Sequence, residues 1–178
     1  MMQFAPAHKP HQVKTEQIIL FRSSTQVFAI SSASVQEVRS VDSLAGTPLE
    51  IRESTIPKVR HMFRRGERNL YVVNVALHFG LRPSPAALIF MLRKSRTALL
   101  IDGIEKMTTM TRLQALPPAF CHEERLWYRG LTVLDQSVVP VVNPAGFLTS
   151  DELFLLDAAA GRLAQPELLP AHEVGLPT

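Results

Sequence analysis

Cysteine is almost missing from this chain of 178 residues: Cys121 stands alone, so no intramolecular disulfide can staple the fold. Long apolar runs are missing too. No stretch approaches the ~20 residues of a membrane span. The opening segment, Met1 to Lys14, has no apolar core of the kind that directs secretion. No glycine-rich phosphate loop is present. The six histidines, at 8, 11, 61, 78, 122 and 172, share no ligand spacing, so neither a metal nor any other cofactor is expected. Together these absences describe a cytoplasmic protein held together by burial alone.

What is present can supply that burial. Hydrophobic residues make up 46% of the chain, an ordinary share for a globular domain, and the length suits one average domain or two small ones. The net charge of +3 permits an acidic partner without requiring one. Proline is frequent, at 13 residues, and several lie near the ends. Residues 1–15 therefore read as a flexible, weakly basic arm and 162–178 as a disordered, proline-bearing tail, with the folded part between them at 16–161.

A recurrence organises that folded part. Leu70-Tyr71-Val72-Val73-Asn74 returns as Val139-Pro140-Val141-Val142-Asn143, 69 residues later. Arg-Gly precedes both, at Arg65-Gly66 and Arg129-Gly130. A hairpin pattern also recurs, about 70 residues on. Ile18–Phe21 and Val27–Ile30 flank the turn Ser23–Gln26, and Leu88–Leu92 and Thr97–Ile101 flank the charged turn Arg93–Arg96. Two similar β units are the economical reading, with an internal boundary at the stiff Arg82-Pro83-Ser84-Pro85 segment, near 82–86.

Between these landmarks, Ser31 and Ser32 can cap a helical turn carrying Val35 and Val38 on one face, with Glu37 beside them. Residues 47–57 read as a loop, 76–81 as a helical turn closed by Gly80, and 124–133 and 138–142 as strands. Thr149 stands three residues before Glu152, a capping-box signature opening a helix over about 150–160. Leu153, Leu156 and Ala160 share one face of it, and Gly161 is the expected stop.

The ordered set of motifs resembles the CheW-like chemotaxis coupling domain. The set is the first hairpin, Val35-Gln36-Glu37-Val38, Arg65-Gly66, Leu70 to Asn74, Ala98 to Ile104, Leu116-Pro117-Pro118, Arg129-Gly130 and Leu155 to Ala159. The resemblance implies an all-β fold of two pseudo-repeated, five-stranded SH3-like β-barrel subdomains around a shared apolar seam, with short helices and a C-terminal helix. It further implies a non-enzymatic adaptor joining chemoreceptor cytoplasmic tips to the regulatory domain of a CheA-type histidine kinase. Carried over by motif, the partner-binding residues are Val35, Glu37, Val38, Arg65 and Gly66, with Glu37 and Arg65 orienting one another. The chain differs from the family pattern at several places. The approach to Arg65 is the basic run Arg60-His61-Met62-Phe63-Arg64, Tyr71 replaces a proline, Asn74 and Asn143 replace Asp, and the 42–58 loop is longer.

Other features invite other functions. Six basic residues between Arg52 and Arg68, with Phe63 and Tyr71 interleaved, suggest as the alternative a small β-barrel nucleic-acid-binding module. Cys121-His122 suggests a thiol nucleophile beside a base, although sequence neighbours rarely face one another and no orienting group is evident. His78, flanked by Leu77 and Phe79, reads as a partly buried structural residue, and Asp102-Gly103 as a turn or bulge.

Overall fold

A computed structural model describes residues 15–42, 49–51 and 54–163, with side chains through Gly161. The expected arm and tail fall almost wholly outside the described residues. Eleven strands alternate with three short helices among those described. They are β1 (Glu16–Ser23), β2 (Gln26–Ser31), β3 (Val35–Ser40), β4 (Leu49–Glu50), β5 (Val59–Arg65), β6 (Arg68–Asn74), α1 (Val75–His78), β7 (Leu88–Leu92), β8 (Thr97–Ile101), β9 (Gly103–Met110), α2 (His122–Trp127), β10 (Tyr128–Leu134), β11 (Ser137–Val142) and α3 (Ser150–Leu163).

The strands form two sheets whose membership crosses the midpoint of the chain. One has the order β10-β11-β2-β1-β9 and the other β3-β7-β8-β6-β5-β4. The proline-bearing 82–86 segment thus joins two elements of the same sheet. Neither order closes into a ring, and the second sheet has six strands rather than five. One short pairing adds an edge strand and another spans two edges. Leu49 opposes Met62 in one sheet, and Gln114 beyond β9 bridges Leu131 of β10 in the other.

Alternation along the central strands explains why they are apolar on both faces. In the six-stranded sheet, Leu70, Val72, Ile89, Met91 and Ala98 form one cluster, and Ile18, Leu20, Ala29, Met110, Val139 and Val141 form its counterpart in the other sheet. The intervening residues, including Phe21, Phe28, Tyr71, Phe90 and Leu99, enter one large shared core. Phe21 stacks on Phe28 at 5.7 Å between ring centres and meets Phe90 edge-on at 5.6 Å. Burying a side chain of this size contributes about 1.5–3 kcal/mol.

Matching irregularities occur in both sheets. Val59 pairs with Val73 and His61 with Val72, leaving Arg60 as the extra residue; Tyr128 pairs with Val142 and Gly130 with Val141, leaving Arg129. Likewise Val35 and Glu37 oppose Leu92 and Met91, as Ile104 and Lys106 oppose Phe21 and Leu20. By register, Arg129 therefore holds the position of Arg60 and not that of Arg65. Arg65 ends β5 opposite Arg68, beside Gly66 in the hairpin turn. The two Arg-Gly pairs are not equivalent. The V-V-N strands do stand in corresponding places. Asn74 Oδ1 accepts a hydrogen bond from Leu77 N at 3.1 Å, and Asn143 Oδ1 accepts one from Ala145 N at 3.2 Å, so each Asn caps the turn after its strand.

Several local expectations change. The helical turn after β2 is a single 3-10 turn, Ser32–Ser34, and Val35 to Ser40 is a strand. β4 occupies part of the expected loop, held by its pairing to β5 and followed by the fully buried Ile51. Residues 122–127 are helical rather than extended. Glu123 and Glu124 lie in the first turn, where acidic side chains complement the helix dipole, and Glu124 accepts from Cys121 N at 2.9 Å. α3 begins with the expected box: Thr149 N donates to Glu152 Oε2 at 2.9 Å and Glu152 N to Thr149 Oγ1 at 3.1 Å. It runs through Gly161, which has no left-handed backbone to end it.

Candidate partner-binding site

Val35 opens β3, an edge strand of the six-stranded sheet, and is buried in the shared core. Val38 lies three residues on, 41% exposed. On a regular strand that spacing would send the two to opposite faces. The extra residue Gln36 restores them to one face, opposite Leu92 and Phe90, which both belong to the shared core. The bulge thus achieves the shared face that the sequence suggested for a helical turn.

Glu37 points to the other face, opposite Met91. Its carboxylate accepts from Arg39 Nε at 2.8 Å and Arg39 Nη2 at 3.0 Å. That fork holds the Glu37 carboxyl below its ordinary range, and Arg65 adds only a weaker field. The expected Glu37–Arg65 partnership is therefore a Glu37–Arg39 ion pair. Arg65 is exposed and makes no ion pair among the described residues. Gly66 follows it with φ +61°, a left-handed turn position with open space around it.

Beside these residues an open groove of about 420 Å³ is lined by Gln36, Arg65, Arg68, Leu70, Leu92, Lys94, Ser95 and Arg96. Parallel pairing of β6 with β8, beginning at Tyr71 opposite Thr97, brings the β7–β8 turn next to the β5–β6 turn. The sequence shows Arg93–Arg96 only as a charged turn. The pairing that puts Lys94 and Arg96 beside Arg68 has no local signal.

Arg96 links the groove to α3. Its Nη1 donates to Asp157 Oδ2 at 2.9 Å, and its Nη2 donates to Oδ1. The Tyr71 hydroxyl also donates to Oδ1, at 2.5 Å, and the Arg96 guanidinium lies over the Tyr71 ring, 5.4 Å from its centre. The Arg96 contact lowers the Asp157 carboxyl, while burial and the Asp157 bond push the Tyr71 hydroxyl up to about 12. Tyr71 is a fully buried anchor for α3. A second anchor is Lys58, 2.8 Å from Glu152.

Full burial withdraws Tyr71 from any nucleic-acid surface, and Phe63 packs against the inner cluster of its sheet. No aromatic ring lines the groove. His78 is buried among Phe79, Trp127 and Phe147, with Nδ1 3.3 Å from Lys58 Nζ and Nε2 without a partner. Burial first, and Lys58 second, lower it to about 3, so it is a neutral core residue at ordinary pH. Cys121 is exposed and serves as the N-cap of α2. Asp102 takes a structural role between β8 and β9, accepting from Ser24 N at 2.7 Å and from the Ser84 hydroxyl. Among the described residues, no three His, Cys, Asp or Glu side chains gather at one point, and no helix is long and apolar enough to cross a membrane.

Comparison with known proteins matches this arrangement to one family. The model of the CheW-like domain matches residues 17–152. Among solved structures, the scaffolding protein TtCheW from Thermoanaerobacter tengcongensis superposes with a TM-score of 0.63 at 14% identity, covering 82% of this chain and 96% of that one. At that identity the likeness speaks to the fold. No curated protein sequence gives a match. The match over 17–152, most of the chain and nearly all of its two sheets, places the protein in the CheW-like domain family.

Proposed function

We propose that this protein is a cytoplasmic, non-enzymatic chemotaxis adaptor that couples receptor tips to a CheA-type histidine kinase. The observation that carries the proposal is the CheW-like match across 17–152, and the similar structure is itself a scaffolding protein. In this reading residues 16–161 are the coupling unit. Its sheets are variants of one SH3-like unit, the second enlarged by the short strand β4, a view supported by the shared bulges and the paired Asn caps.

Glu37, Val38, Arg65 and Gly66 form the receptor contact, with the buried Val35 anchoring the strand that carries the first two. Val38 offers apolar surface on an edge strand, and Arg65 a cation without a fixed partner. A helical receptor tip needs that combination of apolar anchor and oriented charge. Immobilised protein is expected to retain a CheA regulatory domain, and failure to retain any such domain would count decisively against the adaptor. Arg65→Glu is expected to weaken receptor binding about tenfold, the equivalent of one lost charge-assisted contact. An unchanged affinity removes Arg65 from the contact.

A further inference from the structure

The groove described above holds more positive charge than the fold requires. Arg65, Arg68 and Lys94 line it without an ion pair among the described residues, while Arg96 is engaged at its edge by Asp157. Leu70 and Leu92, both buried in the sheet, form the floor beneath the cations. A second concavity, also of about 420 Å³, is lined by Glu67, Arg68, Asn69, Arg96 and Asp157, so Arg68 and Arg96 face both spaces. The chain therefore already shows how this place receives a carboxylate, through a two-pronged guanidinium contact with a phenol beside it.

We propose that the groove receives the carboxylates of an acidic segment of a protein partner, and that this segment competes with Asp157 for Arg96, linking partner binding to the docking of α3. The occupant is a protein segment and not a nucleic acid for two reasons. Three free cations fall short of the six to ten phosphate contacts typical of firm nucleic-acid binding. The lining also offers no exposed ring on which a base could stack. Cations standing over a buried floor instead suit the carboxylate side chains of an acidic segment. The inference rests on the adaptor reading only for the existence of a protein partner. α3 keeps its second polar anchor, Lys58–Glu152, and its buried Leu156, Ala159 and Ala160, so competition loosens the helix locally without releasing it.

The test uses the full chain and a fluorescent glutamate-rich helical peptide, with a single-stranded DNA oligonucleotide of equal charge as the rival probe. Arg68→Glu combined with Lys94→Glu is expected to weaken peptide binding about a hundredfold, from about one decade for each of the two lost charge contacts. Asp157→Asn frees Arg96 and is expected to tighten binding about threefold, a modest surface-pair effect. Asp151→Asn removes the same charge from an exposed position on α3 and is expected to leave binding unchanged. Hydrogen exchange at the α3 amides around Asp157 is expected to rise on peptide saturation. Wild-type affinity in the double variant, or DNA binding tighter than peptide, overturns the groove assignment. Equal effects of Asp157→Asn and Asp151→Asn, or unaltered exchange, overturn the competition. Kinase retention is measured separately. Its persistence alongside a negative peptide result would sink the groove while leaving the adaptor standing.

Discussion

Two Arg-Gly pairs with the same letters do opposite work in this protein. Arg65-Gly66 stands at a hairpin turn, with Arg65 free of ion pairs among the described residues and open space where a Gly66 side chain would sit. Arg129-Gly130 lies at the far end of the corresponding hairpin, at a bulge. There Arg129 donates to Glu16 at 2.7 and 3.0 Å, tying β10 to the start of β1. Gly130 faces Gln114, whose carbonyl oxygen lies 2.3 Å from the place a Cβ would take. Pairing register decides role here. A dipeptide repeated along the chain need not repeat in the sheet.

The sharpest way to break this contrast is alanine at each glycine. Gly130→Ala drives a methyl group into the Gln114 carbonyl and the Leu113 side chain, so the bridge that links the segment after β9 to β10 must shift. A loss of about 3 kcal/mol or more is expected, read as a fall in the denaturant midpoint. Gly66→Ala meets no neighbour and pays only for a left-handed backbone, about 1 kcal/mol. Equal losses at the two sites would erase the distinction.

The arginines provide smaller effects in the same direction. Arg129→Ala is expected to cost about 0.5–1 kcal/mol at neutral pH, as for a partly exposed pair. This contribution has a defined pH dependence. Arg129 holds the Glu16 carboxyl below its ordinary value of 4.5. The stabilisation is therefore complete above that value and is lost as pH falls through the lowered one. Wild type and Arg129→Ala should converge in stability under acid, and a gap that stays constant with pH would show that Glu16 is not the partner that matters. Smallest of all, Arg65→Ala is expected to change stability by less than about 0.5 kcal/mol, with its effect confined to receptor binding. A large loss of stability would mean that Arg65 belongs to the scaffold.

Local signals in the sequence carried far. The Thr149–Glu152 box, the two hairpins and both V-V-N strands stand where their residue patterns placed them, because caps, tight turns and apolar alternation act over a few residues. What the sequence concealed depends on partners distant in the chain. The bulges at Gln36, Arg60 and Arg129 exist only relative to the opposite strand. β4 is a strand because Met62 and His61 are there to pair with it. Leu126 and Trp127 lie on a helix whose first turn carries Glu123 and Glu124, with Glu124 accepting from Cys121 N. For the candidate site, Val35, Glu37, Val38, Arg65 and Gly66 came from family motifs. Lys94, Arg96 and Asp157 could not, since two parallel strands and a docked helix bring them together.

The crossing of the two sheets has a consequence for how the chain can be made. The hairpin β1–β2 emerges from the ribosome ahead of the other strands of its sheet, yet its neighbours β9 and β11 complete synthesis only at Met110 and Val142. The apolar strands of that first hairpin must wait, exposed or sheltered by other means, for most of the polypeptide to follow. Cutting the chain within 82–86 would likewise leave β6 without β8 and β2 without β11. Two such fragments should fail to fold singly and recover their structure only on mixing, making the protein a natural candidate for a split reporter.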